Sequence, residues 1–166
     1  MKRAVLASAA VLPLAVFAAS NPDSSFYKKA AEGGIAEVEL GNLAQQKASN
    51  PSAKEFGTMM VNDHTAANQK LKAIAANKGI DLPTSPSVGQ LAAEGKLKLL
   101  SGETFDKSYI KEMIDDHKED IKEFEKEATS GHDPDAKAFA AATLPTLKLH
   151  LKKIESIAAQ AGIKAD

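Results

Sequence analysis

The sequence predicts an all-α fold: a four-helix bundle of two antiparallel hairpins joined by a long crossover that contains a short helix. Three observations predict it. Ala, Leu, Lys and Glu dominate a chain of 166 residues that has no Trp or Cys, a composition that favours helices. Four long stretches repeat apolar residues at alternating steps of three and four, the helical period. Two of the three connections between these stretches are tight Pro-containing turns, whereas the third is long and irregular.

Each element follows in order. The first helix runs from about Ser24 to Ser49, with Phe26, Ala30, Gly33, Glu37, Leu40 and Ala44 on one stripe. Ser49-Asn50-Pro51 turns the chain into a second helix, from about Ser52 to Asn77, whose stripe is Met60, His64, Ala67, Leu71 and Ile74. Lys78-Gly79 stops that helix, and Pro83 follows. The stretch from Gly79 to Gly102 begins irregularly and then carries a short amphipathic helix using Leu91, Leu97 and Leu100. The next long helix starts near Thr104 and presents Ile110, Met113, His117, Ile121 and Phe124. After the Asp133-Pro134 turn, the last helix spans about Asp135 to Ala161, with Leu147, His150, Ile154 and Ile157 inward and Gly162 as its stop. Pro145 is expected to kink or bulge it. Short turns make hairpins, and one long crossover between two hairpins is ferritin-like connectivity. A shift of 83 superposes Pro51, Ala53, Lys54 and Phe56 on Pro134, Ala136, Lys137 and Phe139, and Gly79-Ile80 on Gly162-Ile163. The two hairpins therefore read as a repeat.

Residues 1–19 read as a signal peptide: a basic Met1-Lys2-Arg3 start, an apolar run broken by Pro13, and small residues Ala18 and Ala19 before a polar segment. Residues 24–163 form the expected bundle domain. The apolar run is short for a membrane span and nothing comparable follows, so no spanning segment is expected after cleavage. The expected location is the periplasm. Without cysteine there are no disulfides, no c-type haem attachment and no thiolate ligands. Interleaved charges summing to −1 leave no basic footprint for nucleic acid.

Function is suggested by three of the four histidines. His64, His117 and His150 sit on the apolar stripes of three different helices, and Glu37 sits on the stripe of the fourth. Buried imidazoles and a buried carboxylate need partners, and one cation can satisfy all four. Their depths agree. Glu37 precedes Asn50 by 13 residues and His64 follows Pro51 by 13, while His117 precedes Gly131 by 14 and His150 follows Pro134 by 16. At about 1.5 Å per residue these offsets are smaller than one helical turn. Glu37, His64, His117 and His150 are thus the expected ligands of one transition-metal ion per chain. Three nitrogens and one oxygen favour zinc or copper, with iron or manganese as alternatives. Glu39 replaces Glu37 if the first helix is rotated from this register. Asp120, three positions after His117, is a further ligand or a neighbour. Asp63 and Asp116 point sideways and read as surface or outer groups. Met60 and Met113 read as core, or as soft donors to copper(I) if they turn inward. His132 reads as a solvated turn residue.

Ala31–Gly41 with Glu37 and Glu39, Met60–Thr65 with Asp63-His64, Phe105–Tyr109 leading to Asp116-His117, and Leu144–His150 together resemble the exported bacterial family named domain of unknown function 4142. The resemblance extends from about Phe26 to Gly162 and implies a ferritin-like fold. The family's activity is not established, and its members are often labelled outer membrane proteins. Di-iron bundles carry Glu-x-x-His on two helices. Here Val61, Ile114 and Leu147 stand three residues before the histidines, so iron storage is disfavoured. The leading expectation is envelope metal handling or stress. The alternatives are an oxidoreductase acting on oxygen or peroxide at the same site, and a metal-free envelope stress or interaction module.

Overall fold

A computed structural model describes residues 21–164 and contains five helices: α1 (Ser24–Lys47), α2 (Pro51–Lys78), α3 (Val88–Lys98), α4 (Gly102–Ser130) and α5 (Pro134–Gln160). The signal peptide expected over residues 1–19 lies outside the described residues. Among the described residues no helix is long and apolar enough to cross a membrane. The fold is the expected all-α bundle of two hairpins, α1–α2 and α4–α5, with α3 in the crossover.

Local chemistry sets the ends of the helices. Asn50 and Asp133 cap α2 and α5: the Asn50 side chain accepts from the amides of Ser52 and Ala53, and the Asp133 side chain from that of Asp135. Pro51 and Pro134 occupy the first helical positions, where the missing N–H leaves no bond unmade. At the other ends, Gly79 and Gly162 take left-handed φ values of 65° and 67°, and the next amide closes onto Ala75 or Ala158. The short α3 starts with a reciprocal cap between Ser87 and Gln90. Helix α5 runs through Pro145 without interruption.

The repeat is visible in hydrogen bonds. Asp106 on α4 accepts from the backbone amides of Ser49 and Asn50, both at 2.9 Å, and from the Ser49 hydroxyl. Asp23, which precedes α1, accepts from the amides of His132 and Asp133 at 2.7 and 2.5 Å. Asp23 and Asp106 are 83 positions apart, as are the turns that they hold. Each hairpin thus supplies an aspartate that ties down the turn of the other.

Helix α1 packs against α2 and α4, and α5 against the same two. Two apolar clusters fill the interior. One gathers Leu40, Phe56, Met60, Tyr109, Met113 and Ile154, and the other Phe26, Leu71, Phe124, Phe139 and Leu147. On every long helix one polar residue with a relative exposure of 5% or less falls between the two clusters: Glu37, His64, His117 and His150. The order of clusters along each helix makes α2 and α4 run parallel, which requires the crossover to return along the length of the bundle. Helix α3 lies on that return, against α1 and α4.

Candidate metal centre

All four residues of the polar layer are buried, with relative exposures of 2% for Glu37, 5% for His64, and 0% for His117 and His150. Each long helix contributes one of them, so the layer crosses the whole bundle. One ligating atom from each of His64, His117 and His150 lies within 4.8 Å of the others. Glu37 reaches the same place, with Oε2 2.6 Å from His64 Nδ1 and Oε1 3.4 Å from His117 Nε2. The Phe56 ring stands edge-on to His117 and His150 with centroids 6.2 Å away, walling the layer on its apolar side.

The outward nitrogens of two rings are already engaged. His117 Nδ1 lies 2.8 Å from the Met113 carbonyl oxygen, and His150 Nε2 lies 2.9 Å from Asp63 Oδ2. A carbonyl and a carboxylate only accept, so in the neutral rings these nitrogens are the donors. The inward nitrogens, His117 Nε2 and His150 Nδ1, then both carry lone pairs, and they face each other at 3.4 Å. No proton-free arrangement of those two atoms satisfies both. The Glu37 carboxylate meets His64 Nδ1 at 2.6 Å through Oε2, while its Oε1 and His64 Nε2 lack a hydrogen-bond partner within the protein. Buried lone pairs that converge with too few donors fit a cation, which takes lone pairs from several of them at once.

The charge states agree with this chemistry. Burial lowers the pKa of His117 and outweighs the opposing pull of Glu37. Burial likewise lowers that of His150, against the raising effect of its bond to Asp63. Burial thus favours the neutral form of both rings, the form in which an imidazole can take a metal without first losing a proton. Burial alone would raise the Glu37 carboxyl, but the surrounding imidazoles prevail and its pKa lies below the ordinary value.

The structure also places the remaining candidates. Glu39 faces α3, where burial and Glu94 raise its carboxyl while Lys98 lowers it, so it does not share the layer. Asp120 lies in a cleft beside Glu37, its pKa raised well above the ordinary value by burial and then by Glu37 and Asp116. Asp116 lines the same cleft and is pushed up to about 7 by burial, Glu112 and Glu37. Met60 and Met113 pack inside an apolar cluster. His132 stands exposed in the α4–α5 turn, its ring 3.4 Å from Asp23. Asp63, read from the sequence as a surface or outer group, is half-exposed, and its carboxylate orients His150. Sequence reasoning passed over Tyr109, whose buried hydroxyl has no partner among the described residues. No periodic signal marks that hydroxyl.

The bundle resembles solved structures at identities that establish shared fold. A DUF305 protein from Streptomyces coelicolor, described as a secreted protein, superposes with a TM-score of 0.76 at 13% identity, covering 90% of this chain and 98% of that one. A DUF305 fragment from Deinococcus radiodurans gives 0.73 at 11% identity, covering 83% and 95%. CopM in its Cu(I)-bound form gives 0.68 at 17% identity, covering 83% and 96%, and CopM is also known in Ag-bound and Cu(II)-bound forms. No curated protein matches the chain in sequence. The profile described as domain of unknown function (DUF4142) matches residues 12–157, and the chain belongs to that family.

Proposed function

We propose that this protein binds one transition-metal ion per chain through His64, His117, His150 and Glu37, and that it handles metal in the bacterial envelope. The observation that carries the reading is the 3.4 Å approach of His117 Nε2 to His150 Nδ1, with the outer ring nitrogens already bonded to Met113 and Asp63. Outer acceptors of this kind orient imidazoles and raise their basicity in metal sites. Three nitrogens and one carboxylate suit Cu(II) or Zn(II), and Cu(II) binds such sites more tightly. CopM, which shares the fold, binds copper and silver, which supports offering copper first. The secreted DUF305 neighbour and the leader-like residues 1–19 support export to the periplasm.

Calorimetric titration of purified protein with Cu(II) and Zn(II) tests the reading. The expected stoichiometry is one ion per chain. His64→Ala, His117→Ala and His150→Ala should each abolish it while leaving a cooperative helical melt. Metal at about 100 times its Kd should stabilise the wild type by about 2.7 kcal/mol. Binding that persists in all three variants would refute the ligand assignment, and no binding by the wild type would favour a metal-free module.

A further inference from the structure

Helix α1 contains three glycines, a residue that weakens a helix relative to alanine. Close packing explains two of them. A Cβ on Gly34 would lie 2.0 Å from Asn68 Oδ1, and one on Gly41 would lie 2.7 Å from the Gly57 carbonyl oxygen. Gly33 is different. It is buried, yet a Cβ there would meet nothing nearer than Asp120 Oδ1 and Gln90 Nε2, both at 3.8 Å.

Gly33 lies one turn before Glu37 and lines a cleft of about 420 Å³ between α1, the start of α3, and α4. Glu32, Glu112, Asp116, Glu119 and Asp120 form its walls, and Glu37 reaches it from the histidine layer. Among the described residues that line this cleft the one lysine, Lys29, is paired with Glu123 at 2.8 Å, and Lys28 outside it stands 3.9 Å from Glu32. A cavity of about 20 Å³ continues from Gly33, Glu37 and Asp120 to His64. Glu37 thus touches both the cleft and the imidazoles: its Oε2 lies 2.6 Å from His64 Nδ1, and its buried Oε1 has no hydrogen-bond partner in the protein.

We propose that this acidic cleft is the path by which metal cations reach the histidine layer. The inference rests on the reading that the layer binds metal. Glu32, Glu112 and Glu119 on this low-dielectric cleft raise the local concentration of cations and steer their approach. The missing side chain at Gly33 leaves the turn above Glu37 open. Glu37 then takes the ion from the cleft carboxylates and presents it to the three imidazoles.

Rapid mixing of the full chain with Cu(II) tests the path, using quenching of the two tyrosines in a chain without tryptophan. Release is followed into excess EDTA. Wild-type loading should slow as salt rises, since exposed carboxylates are screened. Gly33→Leu, which fills the opening, should slow loading and release alike by tenfold or more and leave Kd within about twofold, because an obstacle on a path changes both rates and not their ratio. Glu112→Lys combined with Glu119→Lys should slow loading and make it speed up with salt. Wild-type rates in a cooperatively folded Gly33→Leu would overturn the path. If Gly33→Leu does not fold, the lysine pair decides: unchanged loading and salt dependence would overturn it. Failure of the wild type to take up Cu(II) at equilibrium would instead overturn the metal-centre reading itself.

Discussion

His117 turns Nε2 inward and His150 turns Nδ1 inward, and this difference follows from what each ring meets outside. Met113 is one turn back on the same helix, whereas Asp63 comes from α2, 87 positions away in sequence. Asp63 lies partly in water, so replacing it should leave the fold intact and loosen only the ring. Asp63→Asn is expected to weaken Cu(II) binding about 10–100-fold, measured by competition against a chelator. A second residue-scale prediction concerns Glu127, whose buried carboxyl is pushed up to about 7 by burial and by nearby Asp23. Its raised pKa favours the folded protein fully below pH 4.5, the ordinary value, and that contribution is lost as pH climbs to about 7. Thermal melts should therefore fall between pH 5 and 8, and Glu127→Gln should flatten that fall. The stripe of threes and fours in α1 points to Glu37 rather than Glu39, and Glu37 is the more buried of the two. The partner of Asp63 and the surroundings of Glu127 were not legible, because they are assembled from distant segments.

At the scale of elements, α1 and α2 approach closely where Gly41 and Gly57 face each other. A Cβ on Gly57 would come within 2.6 Å of the Gly41 carbonyl oxygen. Gly57→Ala should therefore destabilise the protein by about 1–3 kcal/mol, although alanine is the better helix former. Gly95, exposed on α3 with nothing within 4 Å of a Cβ, should behave oppositely. Gly95→Ala is expected to stabilise by about 0.5–1 kcal/mol, and chemical denaturation of both variants checks the contrast. The helices themselves were legible because their punctuation is local: Asn50-Pro51, Asp133-Pro134, Gly79 and Gly162 mark ends within a residue or two. The position of α3 was not, since its pattern says that it is amphipathic but not which groove it covers. The acidic cleft depends on that placement and was equally hidden.

For the whole molecule, the repeat organises both the fold and the centre. Glu37 and Asp120 are 83 positions apart on α1 and α4, so each half offers an inward carboxylate at the same place. The histidines break the symmetry: α2 supplies His64, while the second half supplies both His117 and His150. The α1 counterpart of His117 is Gly34, and the α2 counterpart of His150 is Ala67. The carboxylate beside the imidazoles is Glu37, and its counterpart Asp120 lies in the cleft. The crossed aspartates hold this arrangement together. Asp106→Ala strands the amides of Ser49 and Asn50 and should cost about 2–4 kcal/mol, read by chemical denaturation, with the α1–α2 turn losing protection from hydrogen exchange. The repeat was readable from its Pro starts and Gly-Ile ends, but the reciprocal bonds of Asp23 and Asp106 were not, because each joins two halves that the sequence keeps apart. Anomalous diffraction from crystals soaked in Cu(II) tests the central claim most directly. One peak is expected per chain, about 2.0–2.2 Å from one nitrogen each of His64, His117 and His150 and from a Glu37 oxygen. Density confined to surface groups such as His132, with the buried layer empty, would contradict it.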